Sequence, residues 1–551
     1  MLVDLYAAPY TAAALIATTA LALLYGRQTK TQKKPRPARD VRLKGGERCV
    51  VSGVALGLPG TRRRVFDPNN FALLRDGTNL LERVDAAGVR AMVRRNVARL
   101  RKEKDGTATK LPVTATNGIA VSSRLGVFDL SKEYGVPAPL VKTMGRATQL
   151  AVAAGLEALK DAGLIECIEG RWTQLPESLR DGTGVIYATS FPALDAALGE
   201  VAKFGDPRRR PTSELLDALA SRVDPENQEL QAALHLLRAK AQEAQKPYAF
   251  DRKFLFKVLC LANSQLAQLV KARGPNLQTN AACAGTTQAV SLAQDLIRAG
   301  RCDRVVVVSG DDASGDALMP WVGNGFAALG AASIGRDPQS VARPFDRRRS
   351  GMVVGAGACG LVIERAASGG PPCAAPRLSG RPRRARCRVV DSLVSNSAFH
   401  GAAMCAAHIS SELEAFLQLV ERKHGITRAQ IATQGVYLSH ETGTHATPAS
   451  SCASNEVQAL RKCFGDDLLS HLRLVNTKAL TGHPMAVGIE DVIAAYALSK
   501  NCALPPRPAG CVTDANLGPG LRFADDRSAQ YALRFAAGFG SQVAFVLYAA
   551  A

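Results

Sequence analysis

Cys283 lies in a segment whose composition suits a nucleophile. It stands among small residues, Ala-Ala-Cys-Ala-Gly-Thr-Thr at 281–287, and the amphipathic stretch that follows, with Leu292 and Leu296, predicts a helix ending near Gly300. A cysteine at a helix N-terminus meets unpaired backbone N–H groups and the positive end of the helix dipole, which stabilise a thiolate and lower the thiol pKa. The pattern therefore predicts a reactive cysteine, with a buried structural cysteine as the alternative.

Two histidines each follow a predicted strand, in loops rich in glycine and threonine where functional side chains concentrate. They are His440, in His-Glu-Thr-Gly-Thr, and His483, which ends the Lys-Ala-Leu-Thr-Gly-His segment that begins at Lys478. A zinc-protease motif is excluded, because His440 and His445 are five residues apart, one more than that motif requires, and the segment has no helical pattern. Each histidine alone would more often be a structural residue than a functional one.

The overall composition indicates a globular protein with an anionic partner. Of 551 residues, 47% are hydrophobic, which is enough for one large core or two packed ones, and the net charge is +21. The arginine runs are dispersed, lack interleaved aromatics and match no nucleic-acid-binding motif, so nucleic acid is excluded in favour of an acidic carrier protein or an anionic membrane surface. The thirteen cysteines contain no C-x-x-C pair, which argues against a disulfide framework and a paired-cysteine zinc site.

Alternating helix and strand patterns predict two layered α/β halves without a residue-level repeat. In the first half we expect a strand from Cys49, a helix over 144–162, and strands over 304–310 and 359–364. In the second half we expect strands over 387–394, 433–439, 471–476 and 542–548, and helices over 409–422 and 486–499. The predicted divisions are an N-terminal segment at 1–45, a first half at 46–365 with a helical insertion at 206–247, a linker at 366–386, and a second half at 387–551.

The N-terminus carries a candidate targeting or membrane segment. Residues 5–26 contain no charge and are followed by six basic residues within 27–39. A run of this length can just span a bilayer, and the basic cluster would place the catalytic part in the cytosol. We therefore expect either a membrane-anchored protein or an organelle-targeting leader, with a surface or partner-binding helix as a further alternative.

Five segments, taken in order along the chain, resemble the β-ketoacyl synthases of fatty-acid and polyketide synthesis. They are ACAGTT at 282–287, the arginine- and glycine-rich run at 343–357, HETGT at 440–444, KALTGH at 478–483 and AGFGSQ at 537–542. The resemblance runs from about residue 48 to 549. It implies a thiolase-like α/β fold, in which two similar halves pack back to back as five layers, and a homodimer.

The resemblance also implies roles for individual residues. Cys283 would accept the acyl group, and the backbone N–H groups of Cys283 and Phe539 would form the oxyanion hole. His440 and His483, both neutral, would activate the malonyl group and stabilise the enolate formed when carbon dioxide is lost. Phe539 would gate the acyl pocket. The pair of histidines distinguishes the chain from thiolases, which use a second cysteine, and from the initiating synthases, which use histidine and asparagine.

Further expectations concern the residues behind the histidines. Lys478, together with Glu456, would hold the charge balance and the histidine geometry. Two positions depart from the family pattern: Glu441 replaces the first glycine of the usual HGTGT, and Ala453 replaces an aspartate. A carboxylate beside the site could raise the pKa of His440.

The resemblance implies no cofactor bound by the chain itself. Phosphopantetheine would belong to a partner acyl carrier protein, which would deliver acyl and malonyl thioesters. Two alternatives stay open: a catalytically silent acyl-binding or scaffold subunit, and a fragment of a modular polyketide synthase with neighbouring domains. A chain-length factor, the inactive relative, usually lacks the nucleophile that this chain retains as Cys283.

Overall fold

One eleven-stranded sheet runs through both halves of the computed structural model. The structure describes residues 48–102, 107–204, 213–244, 248–366, 385–444 and 451–551. The strands of the first half are β1 (Cys49–Gly57), β2 (Glu82–Arg83), β3 (Ala98–Lys102), β4 (Ala108–Pro112), β5 (Val121–Ser122), β6 (Cys167–Ile168), β7 (Arg171–Trp172), β8 (Thr183–Ala188), β9 (Asn276–Thr279), β10 (Arg304–Asp312) and β11 (Ala356–Arg365).

The first half also contains the following helices: α1 (Asn70–Arg75), α2 (Ala86–Val93), α3 (Leu130–Tyr134), α4 (Ala138–Val141), α5 (Arg146–Asp161), α6 (Glu177–Arg180), α7 (Leu194–Phe204), α8 (Ser213–Ala220), α9 (Gln228–Ala244), α10 (Phe254–Val258), α11 (Ala262–Val270), α12 (Gly285–Arg298) and α13 (Met319–Ala328). The second half contains β12 (Cys387–Asn396), α14 (Ala406–His424), α15 (Arg428–Gln434), β13 (Gly435–Leu438), α16 (Cys452–Leu469), β14 (Arg473–Val475), α17 (Lys478–Thr481), α18 (Ile489–Lys500), β15 (Arg522–Phe523), β16 (Tyr531–Gly538) and β17 (Gln542–Ala550).

The two halves repeat one strand topology. The sheet order is β15-β14-β13-β16-β17-β12-β1-β11-β10-β8-β9. Each half contributes five main strands, and when these are numbered within their own half their order is 3-2-4-5-1. Strand 2 pairs in parallel with strands 3 and 4, and strand 5 pairs antiparallel with strands 4 and 1. β15 extends the edge of the second set, and β1 pairs with β12 where the halves meet. The fold is thus duplicated, although the sequence shows no residue-level repeat.

Helices cover both faces of the sheet and separate its halves. α12 and α18 contact strands of both halves and share a core with β1 and β12. α5 and α11 pack on the first set of strands, and α14, α15 and α16 pack on the second. This arrangement has five layers, as expected for a thiolase-like α/β fold.

Close packing of α5 on the sheet depends on glycines in the strands. A Cβ atom added at Gly53 of β1 would lie 2.3 Å from the carbonyl oxygen of Ala158, and one at Gly360 of β11 would lie 2.4 Å from that of Ala154. The α5 backbone therefore lies directly on the sheet, which explains why half of its ten buried residues are alanine or glycine.

Most predicted elements lie within a few residues of their expected ends, but three features differ. The expected strand over 433–439 begins only at Gly435, because α15 occupies the preceding residues. The β3–β4 hairpin, β8 and β16 were not predicted. The helical insertion contains α8 and α9, while its residues 206–212 and 245–247 lie outside the described residues, as do residues 367–384 of the linker and the N-terminal segment at 1–45.

The membrane-anchored localisation predicted above is withdrawn. Across the described ranges, no helix combines the length and the apolar character needed to cross a bilayer. The segment on which the prediction rested, residues 5–26, lies outside the described residues.

Candidate active site

Cys283 lies in a tight turn between β9 and α12. The turn is a single 3₁₀ segment over Ala282–Ala284, and Ala282 adopts a left-handed backbone conformation with φ of 47°. A non-glycine residue in this region is uncommon and costs conformational energy, so the surrounding structure must hold the turn in place. As the sequence predicts, the sulfur is at the start of a helix.

Two threonines of ACAGTT attach this helix to the second half of the chain. The Thr286 hydroxyl accepts a hydrogen bond from the backbone N–H of Gly488 at 3.0 Å, and the Thr287 hydroxyl donates to the carboxylate of Asp491 at 2.9 Å. Gly488 directly precedes α18, and Asp491 lies in its first turn. The nucleophile is therefore fixed relative to the loop that carries His483.

The turn between β16 and β17 passes directly beside Cys283. A Cβ atom at Gly538 would lie 2.3 Å from the carbonyl oxygen of Ala281 and 3.1 Å from the backbone nitrogen of Cys283, so only glycine allows this approach. Phe539 follows at once, and its ring stacks on that of Phe326 with centroids 5.9 Å apart and an interplanar angle of 16°. The structure thus brings together the two segments predicted to form the oxyanion hole.

His440 and His483 lie side by side on the same cavity as Cys283. Their ring centroids are 5.8 Å apart with planes at 80°. The cavity has a volume of about 590 Å³, and Cys283, Phe539 and both histidines line it. Within the described residues, Nδ1 of His440 and both ring nitrogens of His483 are buried without a hydrogen-bond partner. These nitrogens are available to a bound ligand.

Both histidines are held in the neutral form. Burial is the main cause: it lowers the pKa of His483 to about 3 and holds the pKa of His440 well below its ordinary value. The neighbouring ammonium of Lys478 acts in the same direction on both rings. A neutral imidazole carries one N–H donor and one acceptor, as the predicted role requires.

The expected ionisation of Cys283 is wrong. Burial raises the pKa of the thiol to about 12, and the nearby carboxyl of Asp311 adds to the rise, while Lys478 opposes it. The cost of removing a thiolate from water exceeds the stabilisation from its surroundings. Cys283 is therefore a thiol at neutral pH, and it packs against the sulfur of Met485 at 3.6 Å.

Lys478 pairs with Glu490, not with Glu456 as predicted. The ammonium of Lys478 lies 2.5 Å from Oε1 of Glu490, and the guanidinium of Arg534 lies 3.2 Å from Oε2 of the same carboxylate. Glu456 instead accepts a hydrogen bond from the Ser439 hydroxyl at 2.7 Å, and burial, with the carboxyl of Glu441 second, raises its pKa to about 8. Glu490 thus occupies the place beside Lys478 that was expected of Glu456.

Glu441 does not act on His440 in the expected way. Its Oε1 accepts a hydrogen bond from the backbone N–H of Gly443 at 3.0 Å, so the carboxyl folds back on its own loop. Burial raises its pKa, and the guanidinium of Arg349 is the principal opposing charge. The pKa of His440 is lowered, and the expectation that Glu441 raises it is wrong.

Asn476 connects the two histidine loops, and sequence reasoning missed it. Its amide nitrogen donates to the carbonyl oxygen of Glu441 at 2.6 Å, and its amide oxygen accepts from the backbone N–H of Lys478 at 3.0 Å. An asparagine two residues before Lys478, the first residue of KALTGH, was the available signal. A single polar residue in a loop, however, does not reveal a partner 35 residues away.

The rest of the cavity wall is largely apolar. The apolar lining includes Leu100, Phe326, Met352, Phe399 and Met404. Cys405 and Cys452 also line the cavity. Among the described residues there is no cluster of histidine, cysteine or carboxylate side chains that could hold a metal ion. The site therefore combines a thiol and two neutral imidazoles with a wall suited to an aliphatic chain.

Comparison with known proteins links this geometry to one family. The family model described as "Beta-ketoacyl synthase, N-terminal domain" matches residues 226–368, which include Cys283. A 3-oxoacyl-[acyl-carrier-protein] synthase 2 of Staphylococcus aureus (strain COL) is 25% identical over 417 residues, covering 74% of this chain and 82% of that protein. The protein of the same name from Coxiella burnetii is 27% identical over 251 residues, covering 45% of this chain and 55% of that protein.

Solved structures show the same fold. A β-ketoacyl synthase from Burkholderia phymatum STM815 matches with a TM-score of 0.61 at 18% identity, covering 92% of this chain and 100% of that one. The ishigamide ketosynthase/chain length factor matches with a TM-score of 0.59 at 20% identity, covering 92% and 99%. The family model and the relatives in sequence agree with the five motifs, the solved structures share the fold, and in all three comparisons this chain is similar to β-ketoacyl synthases.

Proposed function

We propose that this chain extends an acyl chain by decarboxylative condensation with a malonyl unit, both presented as thioesters on an acyl carrier protein. The observation that carries the proposal is the convergence of Cys283, His440 and His483 on one cavity of about 590 Å³ with a largely apolar wall. Acyl carrier protein appears in the names of the sequence relatives, and a ketosynthase bound to its acyl-carrier protein is among the structures of similar fold.

In the first step, the sulfur of Cys283 attacks the acyl thioester carbonyl. The new carbon–sulfur bond replaces the bond to the carrier, and the proton of Cys283 leaves with the carrier thiol. Because the thiol has a raised pKa, its proton must be removed as the bond forms, and the neutral histidines in the same cavity are the available acceptors. The backbone N–H groups of Cys283 and Phe539 would stabilise the tetrahedral oxyanion.

In the second step, the malonyl group loses carbon dioxide and leaves an enolate. The N–H groups of neutral His440 and His483 would donate hydrogen bonds to its oxygen. The enolate carbon then attacks the acyl carbonyl on Cys283, and the carbon–sulfur bond breaks. The sulfur of Cys283 takes up one proton from solvent to restore the thiol, and the β-ketoacyl product stays on the carrier that brought the malonyl group. Lys478 and Glu490 form a buried ion pair behind the rings, so they would position the histidines without contacting the substrate.

The alternative of a catalytically silent subunit is not favoured. The nucleophile is present, and the buried histidine nitrogens have no protein partner in the described part of the chain, which a purely structural pair of histidines would require. A silent subunit would also have no need of the close approach between Gly538 and Cys283.

The test is product formation with carrier-bound substrates. Acyl carrier protein loaded with acyl primers of different lengths is mixed with malonyl carrier protein, and the β-ketoacyl product is identified by mass spectrometry. We expect product with the wild-type chain, and at least a hundredfold less with His483→Ala, because the enolate loses a donor. His471→Ala, which removes an exposed histidine, is the matched control and should retain activity. Absence of product from every primer would refute the proposal.

A further inference from the structure

A second cavity lies far from the catalytic residues, where β1 and β12 join the two halves of the sheet. We call it the seam cavity; its volume is about 360 Å³. Its lining consists of Arg48, Cys49, Arg298, Arg388, Val389, Val390, Lys423, His424 and Ile426. Arg298 ends α12, the helix that begins beside Cys283, and 14 residues at 1.5 Å per residue separate the two ends by about 20 Å.

One buried carboxylate, that of Asp391, holds together three of the basic groups. Its Oδ1 accepts a hydrogen bond from the Arg298 guanidinium at 2.7 Å, and its Oδ2 lies 2.9 Å from the ammonium of Lys423 and 2.8 Å from Nε2 of His424. Burial opposes its ionisation, yet the Arg298, His424 and Lys423 partners hold the pKa of Asp391 well below its usual range. A single carboxylate therefore serves three basic side chains.

Two more arginines add positive charge without a carboxylate of their own. Nε of Arg388 donates to the carbonyl oxygen of Ala550 at 3.2 Å, and no partner of its other two guanidinium nitrogens is found in the described structure. The exposed side chain of Arg48 likewise has no hydrogen-bond partner within the described ranges. Asp295 is the other nearby carboxyl, and burial raises its pKa.

The seam cavity thus has an excess of positive charge. Four permanently charged side chains and one histidine face two carboxyls and the negative ends of the α12 and α14 dipoles. Like charges held this close repel each other, and an anion that enters the cavity relieves the repulsion.

We propose that the seam cavity binds a small phosphorylated molecule through its di- or triphosphate group. Guanidinium groups match phosphoryl oxygens with paired hydrogen bonds, and an ammonium adds a compact point charge. Several converging cations suit a polyphosphate better than a singly charged ion. The side chains of Val389, Val390 and Ile426 offer an apolar wall for the organic part of such a ligand.

The test is binding of inorganic pyrophosphate and of ADP to the full chain, measured by isothermal titration calorimetry at constant ionic strength. We expect saturable binding with one site per chain, reduced at least tenfold by Lys423→Gln combined with Arg388→Gln. The side chain of Lys423 is 41% exposed and Arg388 is half-buried, so the double variant leaves the core intact. Lys160→Gln, which removes an exposed lysine of α5 outside the cavity, is the control for loss of surface charge elsewhere and should bind as the wild type does.

Asp391→Asn provides a test of opposite sign. Removing the competing carboxylate should tighten pyrophosphate binding severalfold, because Arg298 and Lys423 then lose the negative charge that they share. Tighter binding of ADP than of pyrophosphate would show that the apolar wall contributes, and equal binding would assign the affinity to the phosphates; either outcome supports the site. The proposal is overturned if neither probe binds at millimolar concentration, or if Lys160→Gln weakens binding as much as the double variant.

Discussion

The thiol of Cys283 and the imidazoles of His440 and His483 are all uncharged at rest. For the cysteine this follows from burial, which outweighs the helix N-terminus and the ammonium of Lys478. For the histidines, burial and Lys478 act in the same direction. The reactive thiolate of Cys283 therefore forms by proton transfer during the reaction. The resting site does not contain a thiolate–imidazolium pair.

The raised pKa of Cys283 predicts slow alkylation that accelerates with pH. The thiolate is the nucleophile, and its fraction grows about tenfold per pH unit below the pKa. We expect the rate of iodoacetamide labelling at Cys283, followed by peptide mass spectrometry, to rise continuously from pH 7 to pH 10. A plateau reached below pH 8 would show that the thiol is ionised at rest and would contradict this description of the site.

Glu441 supports the loop of His440 without setting its charge. We expect Glu441→Gln to leave the pH dependence of condensation unchanged between pH 6 and 9, because the pKa of His440 depends on burial and Lys478. Glu441→Gly removes the acceptor of the Gly443 N–H, and we expect it to lower the free energy of unfolding by about 1–3 kcal/mol. A shift of the activity profile in the glutamine variant would show that Glu441 does act on His440.

At the scale of elements, the site depends on how closely the β16–β17 turn approaches the start of α12. Gly538 makes this approach possible, and Thr286 and Thr287 fix the same helix to the start of α18. Three stretches far apart in the chain are in this way locked around one sulfur atom. The motifs at 282–287, 478–483 and 537–542 are therefore parts of a single structural unit.

Gly538→Ala tests this unit. The added Cβ atom would lie 2.3 Å from the Ala281 carbonyl oxygen, so the turn must move away from Cys283, and we expect kcat to fall at least a hundredfold as the oxyanion donors separate. Gly325→Ala is the matched control, since a Cβ atom there meets nothing within 4 Å. Equal activity of the two variants in the condensation assay would contradict the predicted oxyanion hole.

At the scale of the whole molecule, the buried ionisable groups make stability depend on pH in opposing ways. The folded-state pKa of His483 is about 3, below its unfolded value, so its contribution is complete above pH 6.5 and is lost as the pH falls. In the folded chain the pKa values of Glu456 and Asp311 are raised to about 8. These two carboxyls therefore stabilise the folded state increasingly as the pH falls from 8 toward their unfolded pKa values.

The histidine contribution can be isolated by substitution. Between pH 7 and pH 5, His483 alone should cost the wild-type chain about 2 kcal/mol of unfolding free energy. We expect the unfolding free energy of His483→Asn to fall between pH 7 and pH 5 by about 2 kcal/mol less than that of the wild-type chain. Urea denaturation at the two pH values measures both losses. Equal losses in the two proteins would mean that His483 is not buried as a neutral group.

Much of the fold and the site could be predicted from the sequence, because short motifs mark them. Cys283, His440 and His483 each stand close to glycines and threonines, a composition typical of tight turns and loops. The pairing of Lys478 with Glu490 could not be predicted, because a buried ion pair leaves no periodic pattern. The repeated strand order could not be predicted either, because many different hydrophobic sequences can fill the same core and the two halves therefore need not resemble each other in sequence.

The central claim is that one cysteine among several receives the acyl group. Cys283, Cys405 and Cys452 all line the same cavity, but only Cys283 stands at the start of α12 beside Gly538. The direct measurement is intact-protein mass spectrometry after incubation with an acyl thioester, followed by peptide mapping. We predict one acyl group per chain on Cys283, retained in Cys405→Ala and Cys452→Ala and absent in Cys283→Ala. Acylation that persists in Cys283→Ala, or no acylation of the wild-type chain, would contradict the claim.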